Sequence, residues 1–248
     1  MSIDGGGKVT VLADAVAGSP IRFADALIVA RSGKVYFTDA SMRFAPAQWG
    51  GTLEAAMLDV LEQSSTGRVL EYDPAARSAR VVAHGLSFAN GIALSADELA
   101  LYVAESGRYR VWKIAVAAAR LDVAHASPQA QVVLDNLPGY PDNLMRGTDG
   151  RIWLGLAGQR NALDALAPWP SLRRLMLRIP RQIWPPAKPY GHVMAFTDDG
   201  TVVADLQDPS GQSPSTTTGL TEMAGRAYIH NVDGTRLGWL ANPSATVP

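Results

Sequence analysis

The chain has 248 residues, 47% of them hydrophobic and 18% charged, with 22 Lys and Arg against 23 Asp and Glu for a formal net charge of -1. That length buries a sizeable core in one large β or α/β domain or two small ones, and the even balance lacks the basic excess of a dedicated nucleic-acid binder. With no cysteine, disulfides, thiolate nucleophiles and Cys-ligated zinc or iron–sulfur sites are excluded.

Apolar runs such as Val111 to Ala119 are broken by charge well short of the roughly 20 residues that a bilayer span needs, so no transmembrane segment is expected. The start, Met1-Ser2-Ile3-Asp4-Gly5-Gly6-Gly7, lacks the basic opening and apolar run of a secretory signal. The expected location is the cytoplasm.

One pattern recurs four times along the chain. After an isolated strand at Lys8 to Leu12, Phe23 to Val29 leads through Ser32-Gly33-Lys34 into Val35-Tyr36-Phe37-Thr38. Phe88 to Leu94 leads through Ser95-Ala96-Asp97-Glu98 into Leu101-Tyr102-Val103-Ala104. Tyr140 to Met145 leads through Thr148-Asp149-Gly150-Arg151 into Ile152-Trp153-Leu154-Gly155, and Thr218 to Glu222 turns at Ala224-Gly225-Arg226 into Ala227-Tyr228-Ile229-His230. Each copy is a short apolar strand, a turn and a strand carrying an aromatic, which predicts a β-hairpin.

A second hairpin follows each of the first three: Arg68 to Tyr72 with Arg80 to Ala83, Val111 to Ala115 with Gln131 to Leu134, and His192 to Phe196 with Val202 to Leu206. Two hairpins per unit make a four-stranded antiparallel sheet, and this spacing predicts an all-β chain folded as a single β-propeller domain over 1–248. The blades are expected at about 24–83, 88–134, 140–207 and 217–240, with a blade remnant at 8–12. Two insertions read as helices: Leu53 to Glu62, with Leu53, Met57, Val60 and Leu61 at helical spacing, and a segment from Ser171 that Pro180 stops. The final unit supplies three strands, the last at Arg236 to Leu240. Lys8 to Leu12 either pairs with that unit and closes a four-bladed ring, or is the outer strand of an incomplete blade. The second case leaves open blade edges that favour self-association.

The runs Phe88 to Ser95, Val103-Ala104-Glu105 and Asp135 to Asn143, together with Tyr36 to Ser41, Gly67 to Pro74 and Lys188-Pro189-Tyr190-Gly191, resemble the strictosidine-synthase-like branch of the gluconolactonase and paraoxonase type propellers. The resemblance runs from about Val9 to Gly238. It implies a six-bladed propeller type of which about four blades are present, the first two being absent.

Loops that enter the innermost strands of a propeller converge on its central channel, and Asp25, Asn90, Asp142 and Asn143 hold that position in the first three units. Their oxygens are hard ligands that suit Ca²⁺, with Mg²⁺ or another divalent cation also compatible. In lactonase-type relatives the corresponding Asn and Asp are calcium ligands, and the resemblance carries this onto Asn90 and Asp142, with Asp142 as catalytic residue. The Glu that relatives supply from their first blade has no counterpart here, and Ala24 stands where they have Asn. The bland reading of Asn90 and Asp142 is loop capping. The Glu that drives amine–aldehyde condensation in strictosidine synthase aligns with Thr218, which lacks a carboxylate, while Glu222 matches a different Glu; true strictosidine synthesis is not expected.

Three further features have bland readings. Glu105 with Arg108 and Arg110 reads as a surface ion-pair cluster rather than a substrate site. Asp39-Ala40-Ser41 reads as a turn rather than a nucleophile, since no Gly-x-Ser-x-Gly elbow accompanies Ser41. The stretch Leu172 to Trp184, with Arg173, Arg174, Arg178 and Arg181, reads as a helix that lays its apolar stripe on the propeller and solvates its arginines, against a lid or a contact for anionic membrane. The expected function is a metal-dependent hydrolase of a small-molecule lactone or ester; the alternative is a non-catalytic or truncated propeller that serves as a binding module.

Overall fold

The computed structural model describes residues 1–160, 166, 168–179, 190–211, 216–232, 234 and 237–241. Four antiparallel sheets follow one another along the chain, each with its first strand innermost, as in a propeller. Blade one pairs Ala24–Val29, Val35–Asp39, Gly67–Asp73 and Ser78–Leu86 in that order. Blade two pairs Ala89–Leu94, Ala100–Glu105, Arg110–Ala115 and Ala130–Leu134. Blade three pairs Gly139–Arg146, Ile152–Gln159, Gly191–Phe196 and Val202–Asp208. Blade four has three strands among the described residues, Thr217–Met223, Arg226–Asn231 and Gly238–Ala241.

The aromatic on the second strand of each hairpin explains how the blades stack. Tyr36 packs with Ile92 and Leu94 of blade two, Tyr102 with Leu144 and Phe196 of blade three, and Trp153 with Leu220 and Ala227 of blade four. Strands that lie between two blades are apolar on both faces, and Ala89–Leu94 and Ala100–Glu105 are buried at every position. Glycine allows the closest approach at the centre. A Cβ on Gly91 would collide with the Asp142 carbonyl, and one on Gly155 with the Thr218 backbone.

Several expectations are corrected. Val9–Thr10 pairs with Ser2–Ile3 in a small two-stranded hairpin, so Lys8 to Leu12 does not supply the fourth strand of blade four. Among the described residues the outward faces of blades one and four do not pack on each other, Leu27 and Val29 on one and Met223 and Trp239 on the other being exposed, so the four-bladed ring is not closed. Blade one gains a fifth strand, Leu121–Asp122, which runs parallel to Ser78–Leu86 and comes from the link between the outer strands of blade two. It covers an edge that would otherwise offer unpaired backbone groups. The last strand begins at Gly238; Arg236 lies outside the described residues, as do Lys188, Pro189, Pro180, Arg181 and Trp184.

Helix α1 (Thr52–Glu62) and helix α2 (Pro170–Met176) each lie between the second and third strands of their blade. In an antiparallel sheet that is the end at which the innermost strand begins, so both helices sit at the end of the propeller that carries Asp25, Asn90 and Asp142. The arginine expectation is reversed at one residue. Arg173 is buried, its Nε donating to the Leu61 carbonyl at 2.5 Å and its Nη2 to the Val60 carbonyl at 2.8 Å, while Trp169, Leu172 and Leu175 are exposed. The last carbonyls of α1 lack intrahelical partners and carry the negative end of its dipole, which a guanidinium satisfies. No helix among the described residues is long and apolar enough to cross a membrane.

Candidate functional site

The innermost strands of blades one, two and three begin with the same local pattern. Phe23 and Phe88 stand two residues before Asp25 and Asn90, and their rings meet edge to face at 5.3 Å. Both belong to an apolar cluster with Phe44 and Ala55 beneath α1. Phe88 is held at φ 57°, a left-handed conformation that is strained for a bulky residue. Its carbonyl accepts the Ser106 N–H at 3.1 Å, which ties this bend to the end of the neighbouring strand.

Hydroxyls then fasten one blade to the next at the level of the site. Thr38 of blade one donates to the Asn90 carbonyl at 2.7 Å, and Ser106 of blade two donates to the Pro141 carbonyl at 2.5 Å. Thr217 of blade four donates to the His192 carbonyl at 2.8 Å and accepts the His192 N–H at 2.8 Å. Ser106 also accepts a hydrogen bond from Asn90 Nδ2 at 3.3 Å. It therefore joins the Asn90 side chain to the backbone just before Asp142. No motif marked Ser106 in the sequence; its only signal is its place directly after Glu105 at a strand end.

Asp25, Asn90 and Asp142 form one interacting set drawn from three blades. Burial raises the Asp142 carboxyl to about 8; the charge of Asp25 pushes it in the same direction, and a hydrogen bond from the Asn90 side chain opposes both. Burial also raises Asp25 to about 6. Asp25 nevertheless keeps an exposed surface, and that path to solvent makes its shift the softer of the two. With its Nδ2 hydrogens used toward Ser106 and Asp142, the Asn90 amide oxygen is left without a hydrogen-bond partner among the described residues. Asn143 lies on the blade-four side, where a Cβ on Gly219 would meet its own Cβ at 3.2 Å and His230 Nδ1 at 3.3 Å. His230 Nε2 is bonded to Thr221 Oγ1 at 3.0 Å.

The donor set fits a hard divalent cation. It consists of carboxylate and amide oxygens, and burial of both carboxylates, with the charge of Asp25 acting on Asp142, opposes their ionisation with no Lys or Arg ion pair to relieve it among the described residues. It is a sparse set: among the described residues, no cluster of three or more His, Cys, Asp and Glu stands ready for a metal. A cleft of about 250 Å³ between the helices is lined by Arg43, Glu62, Ser64, Thr66, Pro170 and Arg174, and by none of Asp25, Asn90, Asp142 and Asn143.

The other sequence candidates have structural roles. Glu105 is fully buried rather than part of a surface cluster. It accepts from the Ser87 N–H at 2.8 Å, Arg110 Nε at 2.6 Å and Trp112 Nε1 at 2.6 Å, with Arg108 further off at 3.6 Å. Asp39 repeats this arrangement in blade one, accepting from the Phe23 N–H at 2.7 Å and Arg68 Nε at 2.8 Å. Ser41 is buried and donates to Asp59 at 2.5 Å. Thr218 is buried at the start of blade four, and Glu222 accepts from the Thr148 N–H at 2.7 Å and Trp153 Nε1 at 2.7 Å, locking blade four to blade three.

Four sheets stacked in chain order, three of them bringing Asp25, Asn90 and Asp142 together at the starts of their innermost strands, define a β-propeller. The strictosidine synthase family model matches residues 25–118. The chain is 34% identical over 213 residues to the Arabidopsis thaliana protein strictosidine synthase-like 13, covering 84% of this chain and 49% of that protein. It is 30% identical over 222 residues to the zebrafish (Danio rerio) adipocyte plasma membrane-associated protein, covering 86% and 50%. The chain belongs to the strictosidine synthase-like family of six-bladed-type propellers, and it spans about half the length of the curated relatives it matches. Among solved structures, a gluconolactonase from Xanthomonas campestris superposes with a TM-score of 0.62 at 20% identity, covering 95% of this chain and 62% of that one. A calcium-binding regucalcin from Agrobacterium tumefaciens gives 0.52 at 14% identity, covering 90% and 56%. At these identities the likeness is one of fold.

Proposed function

We propose that the channel site binds a divalent cation, calcium in the first instance, and hydrolyses a lactone or related ester, with Asp142 as the catalytic residue. The observation that carries this reading is the meeting of Asp142 with Asp25 and Asn90 from three separate blades, with no cationic side chain among the described residues to balance the two carboxylates. A gluconolactonase and a calcium-binding protein among the fold neighbours point the same way.

Asp142, Asp25 and the amide oxygens of Asn90 and Asn143 are the groups that would hold the cation. When bound, the cation supplies a Lewis acid for the carbonyl oxygen of the substrate. Asp142 takes a proton from water as the water oxygen bonds to the carbonyl carbon, and returns it to the departing alkoxide as the ester C–O bond breaks. Asn90, braced by Ser106, holds the Asp142 carboxylate in place. Thr218 offers no carboxylate at the position that drives amine–aldehyde condensation, so that reaction is not part of the proposal.

The test is turnover of a panel of lactones and esters with calcium, with chelator and with calcium restored, alongside thermal unfolding. Calcium should raise Tm, because a ligand that binds only the native state stabilises it; chelation and Asp142→Asn should each abolish turnover while the fold persists. A calcium-indifferent Tm with no turnover would overturn the reading. The second reading, a binding module without catalysis, would then stand, favoured by the solvent exposure of Asp25.

A further inference from the structure

Positive charge collects around α2 in a chain whose formal net charge is -1. Residues 160–190 carry six Lys and Arg against one acidic residue, Asp164. Ser171, Arg174, Leu175 and Arg178 stand at i, i+3, i+4 and i+7, one face of α2 and its continuation. Among the described residues these four line a cleft of about 340 Å³. Arg174 also lines the cleft of about 250 Å³ between the helices, with Arg43, Glu62, Ser64 and Thr66, so the two clefts adjoin at its side chain. This groove lies within the row of blades rather than at an end of it. Gln63 Nε2, at the close of α1, donates to the Gly107 carbonyl of blade two at 2.5 Å, and Arg173 ties α2 of blade three to the same end of α1.

Three guanidiniums and one carboxylate line the two clefts. Glu62 is taken by Arg43, whose Nε lies 2.5 Å from its Oε2, while Arg174 and Arg178 have no ion pair among the described residues. Like charges at i and i+4 repel along a helix, and the seven residues of α2 are too few to stand alone. An anion between the two arginines removes that repulsion. Ser64 gives its hydroxyl hydrogen to Asp59 at 2.6 Å, and Asp59 is fully buried and lines neither cleft. Thr66 accepts the Met42 N–H at 3.2 Å, which leaves its own O–H to donate into the groove. We propose that the groove binds a phosphate monoester, its oxygens held by the Arg174 and Arg178 guanidiniums and by the Thr66 hydroxyl. Charge decides for phosphate over carboxylate, because two uncompensated positive charges match the charge of about −1.5 to −2 that a monoester carries near pH 7. The guanidinium fork also suits its several acceptor oxygens. The carbon part of the ester lies against Leu175, which is 54% exposed. The site is separate from Asp25, Asn90 and Asp142, none of which lines either cleft.

The experiment is calorimetric titration of the chain with phenyl phosphate, and with benzoate as a carboxylate of similar size, in chelator so that no cation at the channel site takes up the anion. The variants are Arg174→Gln, Arg178→Gln and, as control, Arg77→Gln in the turn between the outer strands of blade one. All three positions are exposed, and unchanged circular dichroism establishes that the variants fold. Phenyl phosphate should bind the wild-type chain more tightly than benzoate. Arg174→Gln should weaken it about tenfold or more, as loss of a hydrogen bond to a charged group does; Arg178→Gln should weaken it less, and Arg77→Gln should leave it unchanged. Flotation with phosphatidylcholine vesicles, with and without phosphatidic acid, identifies the source of the phosphate. Retention on phosphatidic acid vesicles that phenyl phosphate competes away and Arg174→Gln abolishes assigns a lipid headgroup, and phenyl phosphate binding without retention assigns a soluble ester. No binding of phenyl phosphate, equal binding by Arg174→Gln, benzoate bound as tightly, or vesicle retention that phenyl phosphate does not compete would each overturn the inference.

Discussion

Blades one and two place a related strand at the same point of the repeat, Ala24–Val29 in one and Ala89–Leu94 in the other, and they differ in what lies beside them. Ile92 and Leu94 are each 3% exposed, whereas Leu27 and Val29, in the same register, are 63% and 55% exposed. The residues are similarly apolar and the hairpins have the same form. Ala89–Leu94 is covered on both faces because blades one and three flank it; Ala24–Val29 has blade two alone. In a propeller, burial belongs to the neighbouring blade as much as to the strand. The same contrast reaches the site, where Asn90 is buried and fastened by Thr38 and Ser106, while Asp25 remains exposed.

The contrast does not extend to the acids at the strand ends. Asp39 and Glu105 are both fully buried, and each accepts the N–H of the corresponding residue, Arg22 in blade one and Ser87 in blade two, and pairs with an arginine. Removing either leaves buried backbone donors unpaired and a guanidinium without its carboxylate. Glu105→Ala should therefore have the largest effect, a loss of about 3–5 kcal/mol, read by urea unfolding. Asp39→Ala should fall in the same range, and a much smaller loss would break the equivalence of the two blades at this point.

The next effect separates the blades. Ile92→Ala should cost about 2–5 kcal/mol, as large-to-small changes in a core do, and Leu27→Ala should lie within about 0.5 kcal/mol of the wild type, as exposed substitutions do. The pair should be measured at high dilution, below any association. Equal losses would mean that Leu27 is covered in solution and would remove the distinction.

The last effect is a dependence on pH. Asp142 titrates at about 8 in the folded chain against an ordinary 3.8, so between those values the folded chain holds a proton that the unfolded chain has released. Stability contributed by this group falls as pH rises through that window. Asp25 adds a similar fall that ends near 6. Tm without added cation should decline from mildly acid to mildly alkaline solution, and Asp142→Asn should flatten the portion above pH 6. An unchanged slope in that variant would show that Asp142 is ionised throughout, as a freely solvated carboxylate would be.

The hairpins were legible because their signals are local: alternating or continuous apolar residues, a Gly or Asp turn, and an aromatic on the returning strand. The position shared by Asp25, Asn90 and Asp142 was legible for a related reason, since a repeated fold returns each copy to the same place around the axis. Glu105 was misread because neighbouring arginines in a sequence resemble a solvated cluster, and nothing local reveals that the Ser87 backbone and Trp112 enclose it. Ser106 was missed because a single serine after a strand carries no pattern.

The sequence by itself determined the strands, their grouping into four blades, the two helical insertions and the placing of Asp25, Asn90 and Asp142 at the strand entrances. All of these depend on residues within a few positions of one another or on their recurrence. Tertiary structure alone decided that Val9–Thr10 folds back on Ser2–Ile3, that Arg173 is buried against the end of α1, and that Ser106 links Asn90 to the backbone beside Asp142. It also decided that one strand of the repeat is buried and its counterpart is not. Each of these is a contact between groups brought together only by the stacking of blades, and their energies depend on what shares the space rather than on what is adjacent in the chain.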